Sequence, residues 1–68
     1  MGIYNVKNVL DSFKAGELAK AIQKYDLNDM VFMRKEMEGY LKKHEILEEN
    51  EELLRLLDDK IEEMSTDC

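Results

Sequence analysis

Residues 29 to 64 read DMVFMRKEMEGYLKKHEILEENEELLRLLDDKIEEM, and the spacing of their apolar side chains sets the architecture expected of the chain. Met30, Met33, Met37, Tyr40, Leu41 and His44 recur at intervals that keep side chains on one face of an α-helix. Asp26 or Asn28 can cap its start, Asp29 puts negative charge in its first turn, and Lys42 and Lys43 put positive charge in its last, as the helix dipole favours. A helix over about residues 28–44 is therefore expected. Leu47, Asn50, Leu54, Leu57, Ile61 and Met64 then follow in a 3, 4, 3, 4, 3 spacing, a heptad seam whose one polar member is Asn50. Leu53 and Leu56 widen that stripe, and a second helix over about residues 48–64 follows. A seam this short is marginal in isolation, so it is expected to pack back on the preceding helix as an antiparallel hairpin, or on its twin in a dimer. Residues 44–50 contain no strong breaker, which leaves one continuous helix as the alternative.

Upstream, Val6, Val9, Leu10 and Phe13 stand at i, i+3, i+4 and i+7 and predict a helix from about residue 5 to 14, with Asn5 as its N-cap. Leu18, Ala21, Ile22 and Tyr25 repeat the spacing on a face rotated by roughly a third of a turn. Gly16 lies at the change of phase and marks the break. The expected fold is all-α: three or four helices in a single domain over residues 1–64, with residues 65–68 a frayed tail. Gly39, which costs about 1 kcal/mol relative to alanine inside a helix, suggests close packing against a neighbouring backbone. Three of the five methionines share one helical face, where core filling is the expected role and an adaptable exposed groove the alternative.

Size and composition bound the rest. A chain of 68 residues buries only about 60% of its unfolded surface, so it needs dense packing, a cross-link, a metal or self-association. Its one cysteine, Cys68, excludes an intrachain disulfide, and one cysteine with one histidine, His44, is too small a set for structural zinc. A homodimer is the expected remedy. No stretch is long and apolar enough to span a membrane, and the N-terminus lacks a secretory pattern, so a cytoplasmic location is expected. The absence of proline and the abundance of Glu, Lys, Leu and Met give a composition similar to products of a low-GC bacterium or one of its phages.

The formal net charge of −6 is unevenly spread. Residues 1–44 carry eight basic against six acidic side chains, and residues 45–68 carry two basic against ten acidic. An acidic final helix is commonly a solvated face, and it also suits a basic partner. The sequence offers no glycine-rich phosphate loop, no Ser, His and Asp set and no calcium loop, and His44 stands apart from any second ligand. No enzyme activity and no cofactor are expected.

Two resemblances bear on function. The segment from residue 17 to residue 34 resembles a helix-turn-helix, with Ala21, Tyr25 and Val31 at its fifth, ninth and fifteenth positions. Tyr25 replaces the turn glycine, and Lys24, Arg34 and Lys35 would supply the phosphate contacts, but a net-negative chain starts at a disadvantage on DNA. Residues 33–61 resemble the antiparallel helical hairpin of a family of small bacterial response-regulator phosphatases. Of that family's Ser-Gln-x-Leu-Asp signature only Leu57 and Asp58 are kept, so the resemblance implies the hairpin and not the activity.

The function expected is that of a small non-enzymatic protein–protein interaction protein, a regulator, adaptor or inhibitor of a larger protein. Its partner or dimer interface is assigned to Val31, Phe32, Leu53 and Leu56, with Glu48, Glu49, Glu51 and Glu52 as an electrostatic rim. The alternatives are a helix-turn-helix DNA-binding regulator and an acidic DNA mimic that inhibits a DNA-binding enzyme.

Overall fold

The computed structural model describes residues 6–66. In chain order it has α1 (Val6–Lys14), α2 (Leu18–Ala21), α3 (Leu27–Lys43), a single 3-10 turn (Glu48–Asn50) and α4 (Glu51–Thr66), with no strand among the described residues. The expected all-α fold is the one observed; Asn5, expected to cap α1, lies outside the described residues.

Each boundary has a local cause. At the end of α1, the Glu17 amide donates to the Ser12 carbonyl at 2.8 Å and the Gly16 amide to the Phe13 carbonyl at 3.1 Å. This pair of bonds is a Schellman motif, which needs a left-handed residue, and Gly16 supplies it at φ +77°. The same motif ends α3, where Ile46 donates to Leu41 at 2.9 Å and Glu45 to Lys42 at 3.1 Å. Here the left-handed position is filled by Glu45, at φ +57°. The question left open between one helix and two is thereby decided in favour of two. No breaker residue stops α3. It ends in this Schellman motif, and Ile46, just past the turn at Glu45, is partly buried against the core.

The start of α3 is a reciprocal capping box. The Asp29 amide donates to Asp26 Oδ1 at 2.8 Å, and the Asp26 amide donates to Asp29 Oδ2 at 3.4 Å. That cap fixes where α3 begins, and α2 before it is a single helical turn. Downstream, α4 runs through Ser65 and Thr66, which were expected in a frayed tail, and the Thr66 hydroxyl donates to the Glu62 carbonyl at 2.6 Å.

The hairpin is antiparallel: Arg34 of α3 meets Asp58 of α4, residues equally far in sequence from the turn at residue 46. Its two facing stripes form most of the core. Met30, Met33, Met37 and Leu41 of α3 and Leu53 and Leu57 of α4 are wholly enclosed, joined by Leu54, by Val9 and Leu10 of α1 and by Ile22. The methionine stripe is core, as its helical spacing predicted. Asn50, the polar member of the seam, is buried and donates from Nδ2 to the Ile46 carbonyl at 2.9 Å. It fastens the entry to α4 onto the turn, and burying it costs little because its amide is bonded. Gly39 departs from expectation: it is exposed, and a Cβ there would meet nothing within 4 Å, so no backbone of this domain approaches it.

Candidate interaction surface

With the methionines turned inward at 100° per residue, the residues beside Met33 must turn outward. Phe32 is 57% exposed and Val31 48% exposed, as the phase of the helix demanded. These two neighbours point about 100° apart, so they lie on opposite flanks of α3. Phe32 lines a shallow depression with Lys35, Glu36, Gly39 and Tyr40. The missing side chain at Gly39 leaves that depression open between two aromatic rings. Beyond it, the Tyr40 ring meets His44 in a tilted contact with centroids 4.3 Å apart, so His44 ends the stripe as an exposed aromatic partner.

The other assigned residues do not join this patch. Leu53, expected at an interface, is completely enclosed and is corrected to a core residue. It lies four residues before Leu57 and three after Asn50, and all three face α3, so no partner reaches it while the domain is folded. Leu56 is 38% exposed on the opposite flank of α4 from Asp58, and it lines a different depression, with Phe13, Gly16, Leu18, Ala19, Ile22 and Lys60. Of the acidic rim, Glu48 and Glu49 border the interhelical turn with Lys42, Glu45 and Leu47, and Glu51 and Glu52 are exposed on the first turn of α4.

One polar network ties the hairpin together. Arg34 Nε donates to Asp58 Oδ1 at 2.9 Å and Nη1 donates to Glu38, which also receives Lys42 Nζ at 3.2 Å. The hydrogen bond that it donates to Asp58 is the main reason that the guanidinium is held above its ordinary value. Glu38 is held below the ordinary glutamate range, chiefly by its hydrogen bond with Lys42 and then by Arg34. As a solvent-screened set of ion pairs, the network orients the two helices more than it stabilises them.

These positions bear on the other readings. Val31, the apolar fifteenth position of the helix-turn-helix resemblance, is half exposed, and the helix before the turn is only four residues long. Arg34 already engages two carboxylates, while Lys24 and Lys35 are exposed. Of the two phosphatase signature positions, Leu57 is enclosed and Asp58 holds Arg34. Among the described residues no group of three His, Cys, Asp or Glu side chains is placed to hold a metal ion, and no helix is long and apolar enough to cross a membrane. Cys68 lies outside the described residues.

A second surface feature was not foreseen. Ala19, Ile22, Gln23, Tyr25, Lys60 and Met64 line a depression that shares Ala19, Ile22 and Lys60 with the one beneath Leu56. The two, of about 320 and 370 Å³, are halves of one groove between α2 and the C-terminal half of α4. The sequence signal for it is modest: Leu56 stands off the heptad seam, and small Ala19 stands where α2 needs bulk to close the gap.

Comparison of the chain with protein-family models, with curated proteins and with solved structures returns no match.

Proposed function

We propose that this chain is a small cytoplasmic, non-enzymatic interaction protein, a regulator, adaptor or inhibitor that presents a helical surface to a larger protein. The observation that carries this reading is Phe32. It is the most exposed large apolar side chain among the described residues, and it sits in mid-helix beside Gly39 and Tyr40, on a helix held by a capping box and a buried methionine stripe. A rigidly presented aromatic beside an open depression has the form of a binding anchor, with Lys35 and Glu36 as its polar surround. The methionines that were candidates for a flexible binding face are buried, so recognition falls to this fixed surface and not to a pliable one.

The test is capture of a partner by the immobilised protein from a lysate of its source, run beside Phe32→Ala. The variant is expected to keep its helical circular dichroism, since the ring is mostly outside the core, and to lose the partner. Undiminished capture would overturn the assignment of this face. Retention of the partner in high salt is expected of an aromatic anchor, whereas an acidic DNA mimic would release its target as salt rises. Mass in solution tests the proposed homodimer.

A further inference from the structure

We propose that the groove between α2 and α4 receives an amphipathic helix of the partner, basic along the edge that meets α4. The inference deepens the interaction reading above and rests on it. Its first support is shape. One wall presents Leu56, Lys60 and Met64, four residues apart along α4, and the other presents Leu18 of α2 with Ile22 and Tyr25 of the turn that follows it. The α4 wall therefore repeats at a helical interval, and from Leu56 to Met64 the groove runs about 12 Å, two turns of an incoming helix. Ala19 leaves room between the walls, and Met64 lines one end.

The second support is charge. Glu52, Asp59 and Glu63 are exposed and stand at −4, +3 and +7 from Leu56, so they run along the outer edge of the same groove. Lys60, in the middle, turns its ammonium to Glu63 at 3.2 Å and leaves its alkyl stem in the groove. Opposite α4 the groove is lined by Gln23, an uncharged exposed residue of the turn that follows α2. Charge is confined to the α4 edge, so an occupant with Lys or Arg on one flank and neutral residues on the other enters in one orientation. A second copy of this chain fits poorly. Its long helices have turned their apolar stripes into their own core, and the outer face of its α4 is acidic like the edge it would meet.

The probe is a synthetic helical peptide of about 15 residues, roughly four turns, with a Leu and Ala face, Lys on one flank and Gln on the other. Its twin carries Glu in place of Lys. Amide chemical-shift titration of the full chain is expected to place saturable shifts at Leu18, Ala19, Ile22, Leu56, Lys60 and Met64. Changing Glu52, Asp59 and Glu63 together to Gln should weaken binding about tenfold in low salt. Ala19→Leu fills the groove without touching the core, and it should abolish binding in a protein of unchanged helicity. Equal binding of the Glu twin, shifts confined to the interhelical turn, or full binding by Ala19→Leu would each overturn the proposal. A doubling of mass that Ala19→Leu abolishes would overturn it in favour of a second copy. If the groove fails these tests while Phe32→Ala still loses the captured partner, the interaction reading stands and only the groove assignment falls.

Discussion

Replacing Glu45 with glycine should stabilise this protein. Glu45 holds φ +57° because the Schellman motif that ends α3 needs a left-handed residue, and both of its hydrogen bonds are formed. For a residue with a Cβ that conformation costs about 1–2 kcal/mol. Glycine removes the cost but adds about 0.5–1 kcal/mol of freedom to the unfolded chain, so the net gain from Glu45→Gly is about 0.5–1 kcal/mol. In a domain of this size that raises the melting temperature by about 2–8 °C. Urea unfolding followed by circular dichroism should show a higher midpoint with an unchanged slope, because the surface exposed on unfolding is the same. Glu45→Ala is the control: alanine bears the same backbone penalty, and its midpoint should stay within about 0.5 kcal/mol of the parent. A midpoint for Glu45→Gly at or below that of the parent would refute the account of how α3 ends.

Two further outcomes follow from surface features. Gly39→Ala should stabilise by about 1 kcal/mol, since the added methyl enters open space and the helix gains propensity, and urea unfolding measures it. A loss of stability, or dissociation of an assembled form, would mean that another backbone packs there. Glu38 has a folded-state pKa below its ordinary value of 4.5, so its contribution to stability is present above that pH and is lost as pH falls through the lowered value. Glu38→Gln should flatten the decline of stability below about pH 4.5, and a carboxyl titration by nuclear magnetic resonance should find Glu38 among the lower-titrating glutamates. An unshifted Glu38 would remove the network around Arg34 from the account.

Much of the fold was legible because its signals are local. Helical spacing marked the stripes of α1 and α3, Gly16 marked the first turn, and the outward phase of Val31 and Phe32 followed from the inward phase of the methionines. All of these depend on a rotation of 100° per residue and on nothing distant. What could not be read depends on which elements meet. No residue between His44 and Asn50 is a breaker, yet the chain turns at Glu45 in a left-handed conformation and Ile46 packs partly buried against the core. Leu53 and Leu56 are alike in sequence, and only the placement of α3 against one flank of α4 and α2 near the other sends the first into the core and the second to the rim of a groove. Val31 and Phe32 are adjacent in the chain yet serve different faces. The sequence by itself therefore determined the helices and their apolar stripes, since backbone geometry and propensity act within a turn or two. Only the tertiary structure decided which apolar residues remain for a partner, because burial is a property of two surfaces brought together.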